Sequence, residues 1–263
     1  MTALSVLVVG RGGPISSMLH DDLQSKGFKS EKVTIVVSKE ASNQFDGGRF
    51  VVNDLVQMES MMSSYTHLVY IMNDGLGSFI PHAEDERWAL NIATILALYP
   101  EKTGVFVGSA FGLLENKKKN SINADVFSVD LSNIPKLLRP FYLAELAWWR
   151  GIYEGMNGYI VLPTWIQYQK ESSAWTERLN QYRACVELRE VVDYCSALIT
   201  QNGSFPTRKL LTSSANSSAL DCLSPSDISP TPISWIDGIK FNFSNQHPIL
   251  KEFFRQPRYF EDI

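Results

Sequence analysis

Six short apolar runs punctuate the first two-thirds of the chain: "SVLVVG" at 5–10, "VTIVVS" at 33–38, "RFVVND" at 49–54, "HLVYIMN" at 67–73, "GVFVGSA" at 104–110 and "GYIVLPTWI" at 158–166. Their apolarity is continuous rather than alternating, the pattern of strands covered on both faces. Segments with helical periodicity fall between them, at 16–27, 56–64, 83–98 and 136–155. This β-α-β order predicts an α/β fold built on a doubly wound parallel sheet with right-handed crossovers.

The texture changes past residue 167. The stretch 172–203 reads as one or two helices, "TRKLLTSSA" at 207–215 as a further strand, and "LSPSDISPTPIS" at 223–234, with three prolines, as loop. The C-terminal "HPILKEFFRQPRYFEDI" carries an apolar cluster at Ile249, Leu250, Phe253 and Phe254. The division expected is a core over 1–166 and a helical, loop-rich region over 167–263 that completes the fold and covers a pocket.

Composition narrows the function. A chain of 263 residues, 44% hydrophobic, can bury a sizeable core. A formal charge of −4 lacks the basic surplus that a phosphate backbone demands, and the run Lys117 to Lys119 reads as a solvated loop. No nucleic-acid partner is expected. The three cysteines and four histidines stand in no metal-ligand spacing, so reduced thiols and no metal are expected. No apolar run approaches the ~18 residues of a membrane span, and the start resembles no signal segment. The expectation is a cytoplasmic enzyme or binding protein with a small-molecule ligand and no membrane partner, a homodimer being left open.

The first strand ends in "VVGRGGPIS". Its glycines fall at Gly10, Gly12 and Gly13; Gly10 can supply a tight turn, and Gly13 lets backbone approach a pyrophosphate. A helix beginning near Ile15 would then offer free N–H groups and a positive dipole end. Any βα turn welcomes glycine, so a purely structural turn is the competing reading. The expectation here is that Gly13 serves binding more than folding. The second strand ends with Ser38 and Lys39 in place of an acidic residue, which suits a ribose 2′-phosphate and favours NADP over NAD; the alternative for Lys39 is a surface lysine. Asp54, after the third strand, is placed to accept from an adenine amino group, or is a solvated loop aspartate.

With these residues in view, the chain resembles the extended or atypical branch of the short-chain dehydrogenase/reductase superfamily, including NmrA-like proteins, over about residues 4–200. The resemblance implies a Rossmann-like fold. It implies a cofactor strand in "HLVYIMN", which contributes Asn73, and the fourth-helix asparagine at Asn91. It sets Ser109 in the place of the catalytic serine and gives the segment 144–166 the family's glutamate, as Glu145, and its proline turn at Leu162, Pro163 and Thr164. The family's tyrosine and lysine, four apart on the helix of that glutamate, fall on Leu137 and Phe141. No Tyr-x-x-x-Lys occurs in the chain. In that pair the ammonium lowers the phenol's pKa so that it can exchange a proton with the substrate. Tyr142 is the nearest substitute, about 100° round the helix from Phe141. Trp148 and Trp149 read as core packing rather than substrate stacking.

Two functions follow from the resemblance. One is an NADP-binding biosynthetic enzyme, acting on a small metabolite by noncanonical redox, isomerisation or cyclisation chemistry through Ser109 and Tyr142. The other is a non-catalytic NADP sensor or scaffold, as some NmrA-like proteins are. A nucleotide-sugar epimerase or dehydratase is a third, and it needs the missing tyrosine. NAD, or no cofactor at all, remains the alternative to NADP.

Overall fold

The computed structural model describes residues 4–35, 50–52, 55–72, 74, 83–110, 114–115, 121–122, 131, 134, 138–163, 165–167, 185–201 and 204–211. Seven strands form one parallel sheet. They are β1 (Ser5–Gly10), β2 (Lys29–Ile35), β3 (Phe50–Val52), β4 (His67–Ile71), β5 (Thr103–Val107), β8 (Asn157–Pro163) and β11 (Arg208–Leu211). Their spatial order is β11-β8-β5-β4-β1-β2-β3. Two-stranded ribbons pair β6 (Leu114–Glu115) with β7 (Ser121–Ile122) and β9 (Trp165–Gln167) with β10 (Cys185–Glu187). The helices are α1 (Pro14–Ser25), α2 (Leu55–Ser63), α3 (Ala83–Ala97), α4 (Arg139–Tyr153) and α5 (Leu188–Thr200). This is the doubly wound, Rossmann-like α/β fold expected from the strand pattern.

Period-2 geometry explains the continuous apolar runs, because the two faces of the sheet feed two cores. Leu7, Val9, Leu68, Tyr70, Phe106 and Ile160 point to the face covered by α2, α3 and α4. Val6, Val8, Val69, Val105 and Val161 point to the face covered by α1 and α5. Trp148 is fully buried in the first core and stacks on Phe106 with ring centroids 5.4 Å apart. Trp149 is 2% exposed in the same core. Both tryptophans pack the interior.

The second strand differs from its expected bounds. It begins at Lys29, four residues before the apolar run, because backbone pairing with Ser5 and Val6 of β1 continues through a polar stretch. The side chains of that stretch find polar partners: the Tyr65 hydroxyl donates to Glu31, and Lys32 Nζ to Ser17 Oγ at 3.1 Å.

The described residues past 167, 185–201 and 204–211, pack onto this body. β11 adds to the sheet beside β8, in the register Arg208↔Ile160. α5 lies along α1, where Asp22 accepts from Lys26 at 2.6 Å and from Arg189 of α5 at 2.8 Å. Asp22 is held below the usual carboxylate range: burial pushes it up, but hydrogen bonds from Lys26 and Ser196 and the nearby cations outweigh that. The stretch 223–234 and the C-terminal cluster lie outside the described residues, as do Ser38, Lys39, Asp54, Asn73, Leu137 and Thr164. Among the described residues no helix is long and apolar enough to cross a membrane, and no group of three or more His, Cys, Asp or Glu could hold a metal ion.

Candidate functional site

β1 lies between β2 and β4, and the chain crosses to opposite faces on leaving β1 and β4. β1 and β4 thus flank a topological switch point, and it is outside the carboxyl ends of the strands at such a point that open α/β sheets take their ligands. The turn from β1 into α1 sits there. Gly12 adopts φ +74°, a conformation that disfavours any side chain. Gly13 is the N-cap of α1, in extended conformation and with no side chain to serve as a cap, and Pro14 follows at the first helical position.

A helix start leaves four backbone N–H groups without intrahelical acceptors. In α1 the accounting is complete. Pro14 has no N–H to satisfy. The amides of Ile15 and Ser16 donate to the two carboxylate oxygens of Asp74, each at 2.9 Å. The next amide, Ser17, already makes the helix's own bond to the Gly13 carbonyl at 3.1 Å. Asp74, three residues beyond β4, is fully buried. Burial pushes its carboxyl up from the ordinary 3.8 to about 6, against the pull of hydrogen bonds from Ser16, Ile15 and Gly13.

Gly13 is shaped by the same contact. A Cβ there would lie 1.2 Å from the Asp74 carbonyl oxygen and 2.9 Å from its Oδ1. A side chain at Gly13 would therefore collide with the main chain of Asp74. Arg11, the cation of the turn, makes a buried, two-pronged ion pair with Asp85 in the first turn of α3, its Nε lying 3.2 Å from Oδ1. That carboxylate also suits the positive end of the α3 dipole. Tyr70 of β4 donates its hydroxyl to the Asp85 carbonyl at 2.9 Å.

The other expected site residues are placed as follows. Gly10 ends β1, with Asp74 Oδ2 close above it. Ser109 lies half-buried two residues past β5, after Gly108, whose amide bonds the Val161 carbonyl at 2.9 Å. Asn91 is half-buried on α3. Phe141 and Tyr142 are both buried on the inward side of α4, 3% and 6% exposed, in the core beneath the sheet. Glu145, one turn on, accepts from Arg208 of β11 at 2.6 Å and from the Trp149 indole at 3.3 Å.

Asp74 was not singled out from the sequence, although a signal for it exists. α1 lacks a Ser, Thr or Asp cap and opens on proline, so its amides need an acceptor from elsewhere. An acid just past the strand that neighbours β1 is the group within reach.

No protein-family model and no curated protein sequence matches the chain. Solved structures do match its architecture. The crystal structure of gox2253 superposes with a TM-score of 0.55 at 16% identity, over 80% of this chain and 70% of that one. The dTDP-glucose 4,6-dehydratase of Bacillus anthracis in complex with NAD gives 0.52 at 11%, over 80% and 76%. The UDP-glucose 4-epimerase of Thermus thermophilus, also in complex with NAD, gives 0.52 at 13%, over 80% and 78%. At these identities the likeness is one of fold.

The fold therefore raises the question of a dinucleotide, and the residues answer it in part. The turn stands at the carboxyl end of β1, at the start of α1. Its donors are engaged: the first-turn amides hold Asp74 and the Arg11 guanidinium holds Asp85. As arranged, this point does not fit a pyrophosphate, which would need the place that the Asp74 carboxylate fills.

Proposed function

We propose that this chain is a ligand-responsive binding protein on a dehydrogenase-type Rossmann frame, a sensor or scaffold for a nicotinamide dinucleotide, similar to NmrA-like proteins. The observation that carries this reading is the buried inner face of α4. Phe141 stands in the apolar core where the family resemblance puts a lysine ammonium, and no Tyr-x-x-x-Lys exists anywhere in the chain. A binding role needs the crevice at the switch point and a way to change state on occupancy; it needs no proton donor. NADP is the preferred ligand in this reading, from Ser38 and Lys39 after β2.

A second reading is favoured by Ser109. It sits just beyond the carboxyl end of β5, the edge of the sheet from which such folds present reacting groups. There it would orient a small metabolite for redox, isomerisation or cyclisation chemistry, with Tyr142 contributing only if α4 turned it toward the crevice. Orientation alone can lower a barrier by up to ~7–11 kcal/mol.

Native mass spectrometry of the purified protein, with calorimetric titration of NADP(H) and NAD(H), tests the first reading. A dinucleotide that binds, NADP(H) more tightly, with Lys39→Ala narrowing the gap, supports it. Absence of binding to either dinucleotide in the protein and in variants with an opened turn overturns it. Conversion of a metabolite that falls on Ser109→Ala would favour the enzyme.

A further inference from the structure

The α1 N-terminus and its acid come from separate βα units, yet they meet as donor and ligand meet. We infer that the Asp74 carboxylate is an internal stand-in for a ligand phosphate: it holds the first-turn amides of α1 while the crevice is empty, and a phosphate-bearing ligand takes that place only by displacing it. This rests on the dinucleotide reading for the ligand's identity, but not for the exchange itself.

Both carboxylate oxygens are used, one on Ile15 and one on Ser16 at 2.9 Å each, so the acid presents a bidentate anion to the helix start in the manner of a phosphate. Pro14 at the first helical position removes the donor that would otherwise remain for an external anion. The residue is fully buried, and the missing Cβ of Gly13 leaves the space through which its backbone passes. Two anions cannot share these donors. Ligand binding and Asp74 withdrawal are consequently one event. Such an exchange gives a sensor its two states: an empty state closed on Asp74 and a filled state with Asp74 released. An internal competitor also lowers apparent affinity by the fraction of molecules in which the place is open.

The test compares inorganic pyrophosphate and NADP(H) binding, by calorimetry at constant ionic strength, in the full-length protein and in Asp74→Ala and Asp74→Asn. Asp74→Ala opens the place and is expected to bind pyrophosphate at least tenfold more tightly than the unsubstituted protein. Asp74→Asn keeps the shape but removes the charge and turns an amide donor toward one backbone N–H; a gain of at least threefold is expected. Should Asp74→Ala fail to fold, the isosteric variant carries the test alone. Asp21→Asn, the same charge change at an exposed position of α1, is expected to leave binding unaltered. Equal affinities across the Asp74 series, or an equal gain in Asp21→Asn, overturn the inference. Tighter pyrophosphate binding with no dinucleotide binding in any form upholds the exchange and removes the dinucleotide reading. Dinucleotide binding that is indifferent to Asp74 does the reverse.

Discussion

Gly13 and Asp74, from two neighbouring βα units, are in backbone contact, so close that a Cβ on Gly13 would fall 1.2 Å from the Asp74 carbonyl oxygen. The obstacle is main chain, which cannot rotate aside as a side chain would. Gly13→Ala must therefore push the β4 turn away from α1 and stretch the bonds from Ile15 and Ser16. Overpacking of this kind costs about 1–3 kcal/mol and more where backbone must move. We expect urea denaturation to show a loss at or above that range, with Gly13→Val worse. A Gly13→Ala protein of unchanged midpoint would mean that the contact is not maintained in solution.

Asp74 gives stability a pH dependence whose sign follows from its raised pKa. In the folded state the carboxyl titrates at about 6, against 3.8 ordinarily. Between these values the folded chain holds a proton that the unfolded chain has released, so stability falls as pH rises through the window and is level above it. The 2.2 between the two values, 6 − 3.8, corresponds to about 3 kcal/mol. His67, which burial holds below its ordinary 6.5, acts in the opposite direction near pH 6. The difference between the unsubstituted protein and Asp74→Asn isolates the aspartate. From pH 4 to 7.5 the unsubstituted protein is expected to lose stability relative to Asp74→Asn by that contribution, read from denaturation midpoints, and parallel curves would remove Asp74 as its source.

Glu145 and Arg208 form a buried pair, their side chains 1% and 9% exposed, which fastens β11 to α4 across the sheet edge. Removing one partner leaves the other charge uncompensated, at a cost of about 3–5 kcal/mol, whereas removing both leaves none. Arg208→Met alone is expected to lose about that much. Adding Glu145→Gln, which keeps an acceptor for the Trp149 indole, should recover most of it. A double variant no more stable than Arg208→Met would show that the arginine acts through packing rather than charge.

The β-α-β succession was legible because strands such as β1, β4 and β5 write continuous apolar runs, and the crossovers write helical periodicity between them. β2 was legible only from Val33 onward, since Lys29 to Lys32 pair by backbone and carry polar side chains. The turn at Gly10 to Gly13 was recognised by its glycines, but its contact with Asp74 was not. Asp74 is 59 residues from Ile15 in sequence and is brought to it by the adjacency of β4 and β1. Glycine spacing records that something approaches the backbone closely; it does not record whether the visitor is a ligand or the chain itself. The two tryptophans of α4 were read correctly as core because their neighbours on the helix repeat the apolar face.

The chemistry of α4 leads to the last prediction. A dehydrogenase of this architecture lends its substrate oxygen a proton through a tyrosine whose acidity a lysine has raised, and general acid catalysis of that kind contributes about 10²–10⁴-fold. In this chain the helix turns Phe141 into the core, beside Leu138 and in the same cluster as Trp148, so a charged group could occupy that position only at a desolvation penalty. Tyr142 is buried in that cluster too, and Ser109, two residues past β5, has no neighbouring lysine in sequence to make it a better acid. Incubation with NADPH and a panel of simple ketones is accordingly expected to give no turnover above the rate without protein, at any pH from 6 to 9. The Asp74→Asn variant, even if it binds NADPH more tightly, should be equally inactive, because a freed phosphate cradle improves binding without supplying a proton. Ketone reduction by either protein, measured as NADPH oxidation matched by alcohol formed, would place a working acid in the crevice and return the chain to the dehydrogenases in function as well as in fold.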